Sequence, residues 1–133
     1  MEFKDNITPN YSNQIRVNRG LYFHYGIYID KKHVIQFGSP TSELNPLTAE
    51  VMIVTLKQFL KDNKCEVGVL NNNELAIVRK PADIINYAML KLGSKGYDIL
   101  RNNCEHFVNE CFFDKKESSQ VDKALSFLKD LFK

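Results

Sequence analysis

The feature that most constrains the fold of this chain is a pair of strand-like segments joined by a short polar turn. Residues 20–29 are rich in aromatic and β-branched side chains, a composition typical of a strand. Residues 30–32 form a polar turn, and residues 33–37 resume the strand character before a Gly-Ser-Pro turn at 38–40. The pattern predicts a β-hairpin.

The alternation within the first strand predicts which side chains share a face. Successive side chains of a strand point to opposite faces of the sheet. One face is therefore expected to hold Tyr22, His24, Gly26 and Tyr28. The other face is expected to hold Leu21, Phe23, Tyr25, Ile27 and Ile29.

The middle of the chain predicts a mixture of short strands and helices. Residues 50–54 and 65–70 have strand composition, and Thr55 is a suitable N-cap for a short helix over residues 56–61. The apolar spacing also permits a different interpretation, in which residues 47–61 form one long helix.

Two further helices are indicated in the second half of the chain. Pro81 is favourable in the first turn of a helix and Gly93 just past its end. Asn103 precedes a second helix, whose apolar positions recur at helical spacing. These positions are Cys104, Phe107, Val108, Cys111 and Phe112. Together with the strands, they predict an α+β domain in which an antiparallel sheet packs against helices.

Composition divides the chain into three parts. Residues 1–13 are polar and predict a flexible leader, and residues 14–113 form the predicted domain. Residues 114–133 predict a hydrophilic linker and a C-terminal amphipathic helix, Val121–Lys133. That helix is expected either to pack on the core or to make peripheral contact with a membrane or a partner. We expect no signal peptide and no transmembrane span, and hence a cytoplasmic protein.

Charge and cysteine content exclude several classes of function. The net charge is +2, from 18 basic and 16 acidic residues, with no basic run interleaved with aromatic residues, so we expect no nucleic-acid partner. The three cysteines are an odd number, which favours free thiols in a reducing compartment. No spacing of cysteine and histidine is typical of a zinc site, so we expect no metal and no cofactor.

Cys104 and His24 are the candidate reacting groups. A thiolate at a helix N-terminus is stabilised by the unpaired amides there, and Asn103 is a suitable cap. An imidazole can take the thiol proton and return it to a leaving group. Either residue can instead be an inert core residue. His33 follows two lysines and is expected to be exposed, whereas His106 is too close to Cys104 along the helix to face it.

Gln36 is the candidate for orienting the imidazole, and the hairpin register decides whether it can. If the numbers of paired residues sum to 62, Gln36 lies across from Gly26 and diagonal to His24, within reach of a long side chain. An odd sum places Gln36 on the opposite face and excludes this role.

At this point two motifs resemble a known family. Residues 103–108, NCEHFV, resemble the cysteine motif of lecithin retinol acyltransferase and H-rev107-type proteins, and residues 19–29 resemble the histidine strand of that family. The resemblance covers roughly residues 14–113. It implies a circularly permuted papain-like fold of the NlpC type, with the histidine before the cysteine in sequence and the nucleophile cysteine at a helix N-terminus.

The resemblance also implies a chemistry. Members of the family take a fatty acyl group from a phospholipid as a cysteine thioester and pass it to water, an amine or an alcohol. By resemblance, Cys104 is the nucleophile, His24 the base and Gln36 the third residue, a position more often histidine in the animal enzymes. Tyr22 corresponds to a tyrosine proposed to hold the oxyanion, with Asn103 in support.

Two rival functions are compatible with the same motifs. One is an amidase or peptidase of the NlpC type, acting on amide rather than ester substrates. The other is an interaction module without catalysis that retains the motif, since viral relatives keep similar motifs without clear catalysis. The lack of a predicted signal peptide favours an acyl-ester substrate over cell-wall amides.

Overall fold

A computed structural model describes residues 1–39, 48–95 and 103–113. Its strands are β1 Glu2–Lys4, β2 Gln14–Asn18, β3 Phe23–Asp30, β4 His33–Gly38, β5 Glu50–Val54 and β6 Glu66–Val69. They form one antiparallel sheet in the order β1-β6-β2-β3-β4-β5. The helices are α1 Leu56–Leu60, α2 Asn72–Leu75, α3 Pro81–Leu90 and α4 Asn103–Phe112. The prediction of an α+β protein with an antiparallel sheet is confirmed.

The hairpin of β3 and β4 has the register that sums to 62. Gly26 pairs with Gln36 and Ile27 with Ile35, and the register shifts only near the turn, between Tyr28 and Asp30. His24 and Gln36 therefore share a face of the sheet. The first strand of the hairpin, β3, begins at Phe23 rather than at residue 20. The amide of Arg19 donates to the carbonyl of Tyr22 (2.9 Å) and closes a turn directly before the strand.

The segment after the hairpin follows the strand-then-helix interpretation. Residues 50–54 pair with β4 along their whole length, so the alternative of one helix over residues 47–61 is wrong. Thr55 caps α1 as predicted. Its side chain accepts from the amide of Gln58, and the Gln58 side chain accepts from the amide of Thr55. These two reciprocal hydrogen bonds form a capping box, which fixes the residue at which the five-residue helix α1 begins.

Both later helices are present, and Asn103, which was predicted to precede the second of them, is already a helical residue. Pro81 is in the first turn of α3, and α4 is described from Asn103 onwards. The helix α3 ends three residues before Gly93, whose φ of +81° is in the region that favours glycine. The amide of Gly93 then donates to the carbonyl of Val51 at 2.9 Å, which ties the end of this segment to β5.

The sheet carries a separate apolar cluster on each face. The cluster that we call the helix-side core joins β3, β4 and β5 to α3 and α4. It includes Tyr25, Ile27, Ile35, Phe37, Val51, Ile84, Ala88, Cys104, Phe107, Val108 and Cys111. The smaller cluster, which we call the α1-side core, consists of Ile15, Val17, Tyr28, Val34, Phe59 and Val67. Alternate residues of β3 go to the two cores, as the strand period requires.

The N-terminal segment differs from the predicted flexible leader. Residues 2–4 form β1, which pairs with β6 from Glu2 opposite Val69 to Lys4 opposite Val67. The amide of Ser12 also donates to the carbonyl of Tyr28 at 2.8 Å. The leader prediction is therefore wrong for these residues, because their pairing partners lie far along the chain and leave no local pattern.

Some predictions fall on residues outside the described ranges. The hydrophilic linker and the amphipathic helix predicted within residues 114–133 are among them. Within the described parts of the chain, no helix is long and apolar enough to cross a membrane.

Candidate active site

The centre of the site is a buried hydrogen bond between His24 and Gln36. The imidazole Nε2 lies 2.7 Å from the amide oxygen Oε1, and the two side chains are 1% and 6% exposed. An amide oxygen can only accept, so Nε2 donates its proton, and in the neutral ring the second nitrogen, Nδ1, has a lone pair. The pair arises from the predicted diagonal across the hairpin. Such a ring can accept a proton at Nδ1 without turning.

Two glycines leave space around this pair. A Cβ atom on Gly38 would lie 3.2 Å from Nε2 of Gln36 and 3.8 Å from Cε1 of His24. A Cβ atom on Gly26 would lie only 2.8 Å from the ring of Phe59 and 3.0 Å from Val34. The space at Gly26 is therefore filled by Phe59, while the space at Gly38 is used by the hydrogen-bonded pair itself.

Phe59 is a component of the site that the sequence analysis missed. Its ring is 1% exposed and lies against the imidazole of His24, with centroids 5.0 Å apart and planes inclined by 32°. Phe59 belongs to α1, which comes about 35 residues after His24 in the chain. The only signal in the sequence was an apolar residue in a capped helix, which by itself does not indicate a neighbour.

Cys104 lies in the first turn of α4 and contacts the start of β3. Its side chain is 6% exposed, and the thiol donates to the carbonyl oxygen of Phe23 across 3.8 Å. Phe23 is the residue directly before His24. The helix that carries the predicted nucleophile is thus packed against the strand that carries the predicted base, at the point where that strand begins.

The two predicted supporting residues, Asn103 and Tyr22, directly precede Cys104 and Phe23 in the sequence. Asn103 is the first residue of α4 as described, and its side chain lies outside the described parts of the structure. Tyr22 is half-buried and precedes β3 rather than belonging to it. The strand alternation therefore does not set the direction of its side chain.

The other two cysteines have environments that disfavour the thiolate. Burial, with a smaller contribution from the carboxylate of Glu66, raises the pKa of Cys65 to about 11. Burial in the helix-side core likewise raises the pKa of Cys111 above its ordinary value. All three cysteines are free thiols. Neither Cys65 nor Cys111 adjoins the His24–Gln36 pair in the contacts described here, and both are expected to be unreactive near neutral pH.

The remaining histidines lie on the surface. His33 is exposed, as predicted, and its Nδ1 lies 2.8 Å from the carboxylate of Asp30. This hydrogen bond lowers the pKa of Asp30. His106 is exposed on α4, whereas Cys104 on the same helix is buried. Over residues 1–39, 48–95 and 103–113, no group of three or more potential metal ligands lies close enough to hold an ion.

A family model and several known proteins match most of this chain. The family model for lecithin retinol acyltransferase matches residues 8–117. The human protein "Phospholipase A and acyltransferase 4" is 29% identical over 126 residues, which cover 87% of this chain and 77% of that protein. Mouse "Lecithin retinol acyltransferase" is 28% identical over 131 residues, covering 82% of this chain and 56% of that protein.

A third relative shows a similar extent of likeness. Mouse "Phospholipase A and acyltransferase 3" is 28% identical over 127 residues, which cover 88% of this chain and 78% of the relative. The matched region includes every strand from β2 onwards and all of α1 to α4. This chain belongs to the lecithin retinol acyltransferase family.

Proposed function

We propose that this protein transfers or hydrolyses acyl groups through a thioester on Cys104, and that its substrates are acyl esters of the phospholipid class. The observation that carries the proposal is the buried 2.7 Å hydrogen bond from His24 to Gln36, with Cys104 on the helix packed against the same strand. The relatives named as phospholipases and acyltransferases support the substrate class. A circularly permuted NlpC-type arrangement is part of the same proposal.

The first half of the reaction forms the acyl-enzyme. His24 takes the thiol proton at Nδ1, and the sulfur of Cys104 attacks the acyl carbonyl carbon. The carbonyl oxygen becomes an oxyanion, which the backbone amide of Cys104 and the hydroxyl of Tyr22 stabilise. Each such donor contributes about 10²–10³ in rate in well-studied acyl transfer enzymes. The imidazolium then returns its proton to the leaving alkoxide, which departs as an alcohol and leaves a thioester.

The second half of the reaction removes the acyl group. His24 takes a proton from water, an amine or an alcohol, which attacks the thioester carbonyl. The thiolate leaves and recovers the proton from the imidazolium, so no proton or electron is left over. Gln36 keeps one ring nitrogen occupied throughout and so directs the other toward the reacting atoms. Asn103 supports the start of α4 in this scheme.

Residues 114–133 enter the proposal as the part that meets the lipid surface. Their apolar stripe permits peripheral contact with a membrane, whereas their mixed charges favour the alternative, a helix packed on the core. This segment lies outside the described residues, and the contact remains a proposal, as does the predicted cytoplasmic location.

The test is capture of the acyl-enzyme by intact mass. The protein is mixed with vesicles of dipalmitoyl phosphatidylcholine and quenched in acid, which preserves thioesters. We expect one added palmitoyl mass in the wild type and none in Cys104→Ala. Cys65→Ser is the matched control, because it removes a thiol that makes no described contact with His24, and it should acylate like the wild type.

The outcomes separate the rival functions. An adduct that persists in Cys104→Ala refutes the nucleophile assignment. An adduct with an N-palmitoyl amide but none with the ester indicates an amidase. If no acyl donor of either type modifies Cys104, the interaction-module reading replaces the enzyme.

A further inference from the structure

We infer that Phe59 is a positioning residue for His24: its ring fixes the imidazole plane and shields the His24–Gln36 hydrogen bond from water. The inference rests on the proposed role of His24 as the base. Phe59 does not contact the thiol in the contacts described, so its effect on the reaction would pass through His24.

The contact between the two rings is close and fully buried. The centroids are 5.0 Å apart, the planes are inclined by 32°, and both side chains are 1% exposed. A tilted stack at this distance limits rotation of the imidazole about its bond to Cβ. The hydrogen bond to Gln36 limits the same rotation at the Nε2 edge. Two constraints on one ring leave Nδ1 with a single direction.

The strand opposite Phe59 is shaped to receive its ring. Gly26 is two residues after His24 on the same face of β3. Any larger residue there would place a Cβ atom 2.8 Å from the Phe59 ring. The ring therefore lies directly on the strand backbone beside His24, and it cannot move away from the imidazole in that direction.

The helix α1 is held by hydrogen bonds at both ends, and these bonds also fix the position of the Phe59 ring. Thr55 and Gln58 form a reciprocal cap at its start. At its end, the guanidinium of Arg19 donates to the carbonyl of Leu60 at 3.3 Å and also to the carbonyl of Phe59. Arg19 lies just after β2, so the same side chain ties α1 to the sheet near His24.

The physical consequence concerns water. A hydrogen bond in a low-dielectric site is stronger than one that competes with water. The Phe59 ring covers one side of the imidazole, and it therefore protects the Nε2 proton from exchange. With that proton held on Nε2, the base is present in the tautomer that has its lone pair on Nδ1.

The test is nuclear magnetic resonance of the imidazole in the full chain, labelled with ¹⁵N. In the wild type we expect one neutral tautomer for His24, protonated at Nε2, with a slowly exchanging proton. Phe59→Leu keeps an apolar side chain but removes the planar surface. We expect mixed tautomers and an Nε2 proton that exchanges at least tenfold faster. The rate of Cys104 acylation should fall by about 10-fold to 100-fold, as for a misplaced catalytic group.

Val67→Ala is the control variant. Val67 belongs to the α1-side core but pairs with Ile15 rather than with β3, and its loss lowers stability without touching the imidazole. We expect its His24 tautomer and acylation rate to match the wild type at a temperature where both are folded.

Each outcome decides the inference. An unchanged tautomer and exchange rate in Phe59→Leu overturns it, as does an equal change in Val67→Ala. If Phe59→Leu does not fold, Thr55→Ala at a half-buried residue, which removes the side-chain cap of α1, must increase Nε2 exchange. No increase there overturns the inference. Because the tautomer is measured without substrate, failure of the proposed function appears separately, as absence of the acyl adduct in wild-type protein.

Discussion

The two faces of β3 differ in what they bury and in how much covers it. On one face, Tyr25 and Ile27 lie beneath α3 and α4 in the broad helix-side core. On the other, His24 and its partner Gln36 lie beside the short helix α1 and the smaller α1-side core. One strand therefore supplies the main apolar core and the candidate catalytic pair at alternate positions.

The buried pair of His24 and Gln36 requires a mutual hydrogen bond, whereas the apolar side chains on the other face do not. A buried polar group is costly unless it is hydrogen-bonded, and His24 and Gln36 satisfy each other at 2.7 Å. Among the residues that the structure describes, the five-residue helix α1 lies over the face that carries them, and its Phe59 ring covers the imidazole. Apart from the proposed nucleophile Cys104, which belongs to the helix-side core, we expect substitutions on the helix side to change mainly stability and substitutions on the α1 side to change mainly reactivity.

The largest expected effect is on the helix side. Phe107 is fully buried on α4, and Phe107→Ala should lower the free energy of unfolding by about 3–5 kcal/mol, through lost apolar contact and a cavity. Equilibrium unfolding in urea measures this change. Leu90→Ala, at a residue 84% exposed on α3, is the control and should change stability by less than about 0.5 kcal/mol. A loss below about 1 kcal/mol for Phe107→Ala would mean that the helix side is not the main core.

The second largest effect is expected on the α1 side, where substitution of Gln36 should change the rate of acylation more than the stability. Gln36→Ala removes the acceptor of the Nε2 proton, which should cost about 1–3 kcal/mol of stability. It should also slow thioester formation without abolishing it, because His24 and Cys104 remain. Gln36→His, which restores a ring nitrogen as acceptor, should recover part of the rate. Acylation as fast in Gln36→Ala as in wild-type protein would show that Gln36 does not orient the imidazole.

The hairpin and the polar pair could be predicted because local rules determine them. The period of two along β3 places His24 and Gly26 on one face, and the short polar turn permits few registers. Once the pairs sum to 62, the diagonal from Gln36 to His24 follows. The cap at Thr55 was predictable for the same reason, since its partner Gln58 is three residues away.

The missed features depend on residues that are distant in the chain. The strand β1 exists because it pairs with β6, more than 60 residues later. Phe59 reaches His24 only because α1 folds back over β3, where Gly26 leaves room for its ring. Neither partner leaves a periodic signal near the other, so no local pattern predicts the contact. Burial of His24 by an aromatic side chain was therefore evident only from the structure.

The smallest expected effect is a difference in alkylation between Cys65 and Cys111, the unreactive thiols on the two sides of the sheet. Burial raises the pKa of Cys65, beside the α1-side core, from its ordinary value of 9.0 to about 11, and it also raises that of Cys111 in the helix-side core. A raised folded-state pKa favours the neutral thiol. The resulting stabilisation from Cys65 is present below about pH 9 and is lost as the pH rises through about 11.

Alkylation of Cys104→Ala protein with iodoacetamide, followed by intact mass and peptide mapping, measures this difference. Near pH 8 the thiolate of Cys65 should be about 100-fold less populated than that of an ordinary thiol, and its labelling rate should rise about tenfold for each pH unit toward 11. Cys111, which is fully buried, should be labelled only when the helix side opens, as in added urea. Labelling of Cys111 before Cys65 would reverse the comparison, since it would mean that the face covered by α3 and α4 opens more readily than the face covered by α1.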